Sequence, residues 1–349
     1  MKIAFVNDTF FEGRGSDTVI YELARRMGKK HEVAVICGNS DFKEENFEIK
    51  KLGFDKLVTG NAKDFLGFMK LKKFRDACKN YDIINLHHAT LTSSFLGRKN
   101  VVVTCNGFPK NSEKNVIRKI FRFLANGFNL FMTNFISKTV AISLYIKKGL
   151  IKKGVCTKKI VIIYDGVSSE FKPAGKDRGF MLFVGRHEPH KEVHEIIRLS
   201  KEINFPLKIA GTGPLTEKLK KYKRRINADK VEFLGKIDRK QLFKLYQECS
   251  FFVSASKWEG FGLIFIEAGA CAKPSVAYNL CSMPEVIKHN NTGFLAKNYG
   301  EFKEYAKRLK EDLRLRKKLG KEAFKFSKNF SWNKTVDKYE NLFQRIIEK

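Results

Sequence analysis

Two glutamates and the glycines between them are the residues here best suited to chemistry. The run KWEGFGLIFIEAGACAKPSVAYN holds Glu259 and Glu267 with seven residues between them, and Gly260, Phe261, Gly262 and Leu263 follow the first acid directly. Glycines let backbone come close to a ligand. The apolar run FFVSAS lies before them, and Ala268, Gly269, Ala270 and Ala272 lie after, which predicts a strand-to-helix turn. The N-terminus of such a helix offers unpaired N–H groups and the positive end of a dipole to a phosphate. A carboxylate about two turns further on, Glu267, is placed to accept hydrogen bonds from sugar or ribose hydroxyls. The competing explanation is a plain turn with two solvated glutamates. Glycines, an aromatic and two spaced acids together argue against it.

Elements that would position these groups are legible as short apolar runs between amphipathic stretches. KIAFVN (2–7), EVAVIC (32–37), DIINL (82–86), NVVVT (100–104) and KIVIIY (159–164) read as buried strands. Between the first two, Val19, Ile20, Leu23 and Met27 recur at helical spacing. The pattern restarts with FMLFVG (180–185), PLKIAG (206–211), VEFLG (231–235), FFVSAS (251–256) and PSVAY (274–278). Strand–helix alternation predicts parallel, doubly wound sheets. The expected fold class is α/β, two Rossmann-like domains in series with a cleft between them. The hinge is expected in DGVSSEFKPAGKDRG, between Tyr164 and Phe180. In the closing run Trp332, Val336, Tyr339, Phe343, Ile346 and Ile347 share one face, which must cover an apolar surface.

Composition narrows the partner. Lys and Arg number 68 against 37 Asp and Glu, a formal charge of +31, while 43% of the 349 residues are hydrophobic. That excludes a disordered basic tail and calls for an anionic partner: nucleotide, nucleic acid or lipid surface. No recognised nucleic-acid motif is present, so nucleic acid is the weaker candidate. No GxGxxG follows the first strand of either half, which disfavours a dinucleotide-dependent dehydrogenase. The seven cysteines are scattered, with no CxxC pair, as expected of reduced thiols in a cytoplasmic protein. The start, MKIAFVNDTFFEGRG, reads as a first strand rather than a signal peptide, and no apolar run is long enough to cross a membrane. From Lys114 to Tyr164 there is no Asp or Glu but eleven Lys or Arg, interleaved with Phe121, Phe123, Phe128, Phe131 and Phe135. A segment of this kind either lies on an anionic membrane or is a solvated lysine face over an ordinary core helix.

The Glu259–Glu267 stretch resembles the E-x7-E motif of the retaining GT-B glycosyltransferases of family 4, the group 1 glycosyl transferases. Other segments share the resemblance: GRGSDTVIYELARRMGKKHEVAVI (13–36), YDGVSSEF (164–171), VGRHEPHK (184–191), IAGTGP (209–214), FLGKI (233–237), MPEVIKHNNTGFL (283–295) and SWNKTVDKYENLF (331–343). It implies an acceptor-side domain over 1–168, a nucleotide-sugar domain over 169–328, and a helix over 329–349 that crosses back to the first domain. It implies transfer of a sugar from a nucleoside-diphosphate sugar, with retention, to an acceptor hydroxyl. Arg186 and Lys191 would clamp the diphosphate, because fixed cations stabilise the charge that grows on a leaving phosphate. Glu259 would join them at the reacting sugar. Gly15, Gly185, Gly211, Gly213, Gly260, Phe261, Gly262, Leu263 and Glu267 would line the donor site. No Asp-x-Asp occurs, so no metal and no other cofactor is expected.

Departures from the family pattern are instructive. Asn106, in VVVTCNG (101–107), stands where the family commonly has a histidine, and it cannot act as a base near neutral pH. His87 matches one histidine of a nearby pair while Asn85 replaces the other, so His87 or His88 is a candidate for acceptor or phosphate binding. Arg14 and Asp17 replace a glycine and a glutamate. Glu192 and the Cys281–Ser282 pair stand where glycines are common. The basic, phenylalanine-rich first half points to an acceptor at an anionic membrane, such as a lipid-linked saccharide or glycolipid. The alternatives are a degenerate GT-B protein that binds nucleotide or glycan without turnover, and a basic nucleic-acid-binding protein.

Overall fold

The computed structural model describes residues 1–54, 65–87, 89–108 and 127–348, with the side chains of 65–69 and 89–90 excluded. Lys114, Arg118, Lys119, Phe121, Arg122 and Phe123 of the basic stretch, and His88, lie outside the described residues. The chain forms two compact units, Met1–Asp165 with Trp332–Lys349, and Gly166–Ser331.

The first unit holds β1 (Lys2–Val6), β2 (Glu32–Cys37), β3 (Glu48–Lys51), β4 (Ile83–Leu86), β5 (Val101–Cys105), β6 (Lys138–Ala141) and β7 (Ile160–Ile162). All are parallel, in the order β3-β2-β1-β4-β5-β6-β7. The second unit holds β8 (Met181–Val184), β9 (Leu207–Ala210), β10 (Val231–Gly235), β11 (Phe251–Ser254), β12 (Ser275–Tyr278) and β13 (Gly293–Ala296). These are parallel too, in the order β10-β9-β8-β11-β12-β13. Both units are therefore doubly wound α/β sheets. In each the order reverses beside the first strand, between β1 and β4 and between β8 and β11. That switch point is where crossover helices diverge and leave room for a ligand at the strands' carboxyl ends.

Three strands are absent from the sequence expectations, and each has a physical reason. β3 is an edge strand with one buried apolar residue, Ile49. β6 begins at Lys138 inside the basic stretch, and its four residues carry little periodicity. β13 is the four-residue GFLA, whose glycine and length masked it.

The closing helix, Trp332–Ile347, packs on the helix Gly15–Met27 within the first unit. Its buried face is Trp332, Thr335, Val336, Tyr339, Leu342 and Phe343. Ile347, expected on that face, is exposed because it lies in the last turn, and Leu342 takes the inner position instead. The helix is tied down by polar contacts as well. Thr335 donates to the Tyr164 carbonyl at 2.8 Å, and His31 Nε2 lies 3.1 Å from Glu340 Oε1. Thr104 donates to Asn85 Oδ1 at 3.1 Å, which leaves the buried Tyr339 hydroxyl to donate to Thr104 Oγ1, also at 3.1 Å. Truncating Tyr339 removes both a fully buried ring and this bond. Tyr339→Ala is expected to cost about 3–5 kcal/mol of unfolding free energy. Tyr339→Phe is expected to cost only about 1 kcal/mol, measured by chemical denaturation.

Candidate functional site

In the second unit the carboxyl ends of β8 and β11 meet at the switch point, and each delivers part of one charged cluster. β8 leads into Gly185, Arg186 and His187, then a short turn ending at Lys191. β11 leads to Ser256, Trp258 and Glu259. Lys191 Nζ donates to Glu259 Oε1 at 2.6 Å, with both side chains largely buried. Arg186 is more open: its Nη2 pairs with Glu188 Oε1 at 3.0 Å within the same loop. An exposed pair of that kind contributes little stability, so exchanging Glu188 for a phosphate costs little. The loop after β8 thus carries one cation fixed to the Glu259 carboxylate and one exchangeable cation, five positions apart in the chain.

The loop after Glu259 is anchored from an unanticipated side. The buried Ser282 hydroxyl lies 2.9 Å from the Glu259 carbonyl and 3.0 Å from the Phe261 carbonyl. Gly262 has φ +98, a conformation that only glycine adopts without strain, and it starts the helix Leu263–Ala270 with no side-chain cap. No acid lies in the first turn of that helix, so its positive end is unneutralised by its own residues. Glu267 sits a little over one turn into the helix, rather than two. Tyr246 donates to its Oε2 at 2.8 Å from full burial, which fixes the carboxylate's direction.

Gly185, Gly211 and Gly213 have a structural task in addition to any approach by a ligand. A side chain on Gly211 would collide with the Gly185 carbonyl, and one on Gly213 with the His187 backbone. The two loops therefore lie backbone against backbone. His187 joins them: it donates from its N–H to Thr212 O at 3.1 Å, and its Nδ1 lies 2.8 Å from Thr216 Oγ1. Its buried Nε2 has no partner. Burial, with Lys220 nearby, pushes His187 below the ordinary histidine range. Sequence reasoning missed His187, Tyr246 and Ser282. His187 lies inside a matched segment and Ser282 in a departure from the pattern, whereas Tyr246 lies in a stretch that no motif covers.

In the first unit the carboxyl ends of β1, β4 and β5 carry the remaining candidates. Asp17 is buried and pins the loop after β1. It accepts from Phe11 N at 2.8 Å and from Asn7 Nδ2 at 3.0 Å. Arg14 donates to Thr9 Oγ1 at 2.7 Å. A Cβ on Gly15 would meet nothing within 4 Å, so the helix Gly15–Met27 begins beside open space. His87 and Asn106 are adjacent: Asn106 Nδ2 lies 3.3 Å from His87 Nδ1, which makes Nδ1 the acceptor and puts the ring proton on Nε2. His87 Nε2 and Asn106 Oδ1 are both buried without a partner. Burial pushes His87 down to about 3, so it is neutral and offers no charge to a phosphate. The two unpartnered atoms form a neutral donor–acceptor pair of the kind that a hydroxyl can complete.

A model of the group 1 glycosyl transferases matches residues 168–326, and one of glycosyltransferase family 4 matches residues 13–171. The chain belongs to glycosyltransferase family 4. Among family relatives, an uncharacterized glycosyltransferase of Methanocaldococcus jannaschii is 32% identical over 60% of this chain and 60% of its own length. The matched stretch thus spans about three-fifths of that relative. The O-antigen chain mannosyltransferase C of Escherichia coli is 22% identical over 100% of this chain and 99% of its own. The crystal structure of Anabaena HepE in complex with UDP and glucose covers 99% of this chain and 100% of its own with a TM-score of 0.78 at 17% identity, which establishes the GT-B fold.

Two departures from the family pattern now have a backbone explanation. Glu192 (φ +47) and Cys281 (φ +53) occupy left-handed positions where glycine is favoured. Glu192→Gly and Cys281→Gly are each expected to raise stability by up to about 1 kcal/mol, read from denaturant midpoints at unchanged slope.

His87 contributes one part of the pH dependence of stability. The unfolded chain protonates this group below its ordinary 6.5, and the folded chain only near 3, so its contribution is lost as pH falls through that window. Between pH 7 and pH 5 the wild type is expected to lose about 2 kcal/mol more than His87→Gln. Asp17, raised by burial to about 6, and Asp165, raised to about 8, act with the opposite sign, so the variant comparison is what isolates His87.

Proposed function

We propose that this protein transfers a sugar from a nucleoside-diphosphate sugar to an acceptor hydroxyl, with retention, in the cytoplasm. The observation that carries it is the Lys191–Glu259 pair at 2.6 Å, with Arg186 on the same loop as Lys191, at the carboxyl ends of β8 and β11. In the proposed step the bond from sugar C1 to the phosphate oxygen breaks and a bond from the acceptor oxygen to C1 forms on the same face. The acceptor proton passes to the departing phosphate oxygen. Negative charge grows on that diphosphate, and Arg186 and Lys191 stabilise it more in the transition state than in the ground state. These cations do so without a divalent metal. Glu259 accepts hydrogen bonds from the donor sugar. Glu267, oriented by Tyr246, holds the ribose, and the end of the helix Leu263–Ala270 receives a phosphate.

Leaving-phosphate assistance needs no protein base, so Asn106 in place of histidine is compatible with turnover. Asn106 and His87, both neutral, would contact the acceptor through hydrogen bonds. The similarity to the O-antigen chain mannosyltransferase C of Escherichia coli supports a saccharide chain as acceptor, and a lipid-linked saccharide or glycolipid is the form we propose.

Calorimetry with UDP, GDP, ADP and their sugars tests the donor site. UDP comes first because HepE was solved with it. One nucleotide class is expected to bind selectively. Arg186→Ala, Lys191→Ala and Glu267→Ala are each expected to weaken it at least about tenfold, and a chelator is expected to have no effect. Binding of a nucleotide with no donor consumption in the presence of glycan acceptors would favour the non-catalytic alternative. Binding of none would overturn the proposal.

A further inference from the structure

Eight large apolar side chains are exposed among the described residues, and five of them fall between Phe128 and Ile151. Phe128, Phe131 and Phe135 are 49–59% exposed and recur at helical spacing along 127–135. Phe131 and Phe135 pack edge to face at 5.7 Å, so they form one surface rather than scattered residues. The helix Leu144–Lys152 buries Ile146 and Leu150 and turns Leu144, Lys148 and Ile151 outward, with Lys147 half-buried between them. Lys152 follows on the same side, exposed.

The two stripes belong to one edge of the first unit. Asn134 donates to Gly154 O at 2.9 Å and accepts from Cys156 N at 2.7 Å, which ties 127–135 to the turn after the second helix. That turn leads into β7, the last strand of its sheet. The sequence from Lys114 to Tyr164 contributes no carboxylate to offset the lysines.

We propose that this edge docks on an anionic lipid bilayer. The phenylalanines, Leu144 and Ile151 would enter the headgroup boundary, and Lys147, Lys148 and Lys152 would meet lipid phosphates. Charge complementarity selects this occupant. A second copy would bring lysine against lysine. Nucleic acid would meet the lysines, but aliphatic Leu144 and Ile151, exposed on the same helix as those lysines, offer a base no ring to stack on. Docking is independent of the donor site, so a protein that bound no nucleotide would still sediment with vesicles.

The test is co-sedimentation of the full chain with phosphatidylcholine vesicles, with and without phosphatidylglycerol, at low and high salt. Binding is expected only with phosphatidylglycerol, and is expected to weaken with salt. The triple variant Phe128→Ser, Phe131→Ser, Phe135→Ser and the triple variant Lys147→Glu, Lys148→Glu, Lys152→Glu should each lose at least about tenfold in affinity. As a control for net charge, Lys218→Glu, Lys221→Glu, Lys223→Glu makes the same charge change in the second unit and should retain most of the binding. Far-ultraviolet dichroism and nucleotide binding report whether each variant is folded. The proposal is overturned by absence of sedimentation with anionic vesicles, by equal losses in the control, or by a wild-type dimer that the phenylalanine variant makes monomeric.

Discussion

Lys191 and Glu259 lie 68 positions apart in the chain and 2.6 Å apart in space. What brings them together is the crossover of the second sheet, which lays β11 directly beside β8 although two strands intervene in sequence. A buried ammonium and carboxylate at hydrogen-bond distance must be held accurately, because either one left alone would be an uncompensated charge. The surrounding loops meet that demand. Gly185, Gly211 and Gly213 allow two loops to touch through their backbones. His187 and Thr216 clasp them, and Ser282 holds the carbonyls on either side of Gly260.

Polar order in the first unit is of another kind. Asp17 spends its carboxylate on the loop after β1, and Thr104, Asn85 and Tyr339 form a buried chain linking β4 and β5 to the closing helix. His87 and Asn106, at the ends of these same strands, keep one unpaired polar atom each. Buried polar atoms without partners are costly, so leaving two side by side is consistent with a site that a hydroxyl-bearing ligand completes. Neutral hydrogen-bonding groups thus stand at the ends of β4 and β5, whereas a fixed ion pair stands at the second unit's switch point.

Where glycine is common in the family, this chain twice retains a left-handed backbone with a larger residue. Glu192 and Cys281 therefore preserve the shape of the loops at some conformational cost. The loop geometry is maintained while the residue types change, so the substitutions alter surface chemistry more than architecture.

Much of this was legible in the residues alone. Largely apolar runs of five or six residues marked ten of the thirteen strands among the described residues, because strands buried on both faces are almost continuously hydrophobic. The motif Glu259–Glu267, with Arg186 and Lys191, named the charged cluster through spacing and resemblance. Strands such as β3 and β6 were hidden because edge position and lysines erase periodicity. Sequence also placed phenylalanines and lysines together from Lys114 onward, but could not say which of them face solvent, because helical spacing is the same for an inward and an outward stripe. Only the tertiary structure decided that Phe128, Phe131 and Phe135 are exposed while Ile146 and Leu150 are buried, that His87 is neutral, and that Ser282, Tyr246 and His187 hold the site. Each of these depends on contacts between residues distant in the chain, and exposure, pKa and hydrogen-bond partner are set by such contacts rather than by residue type.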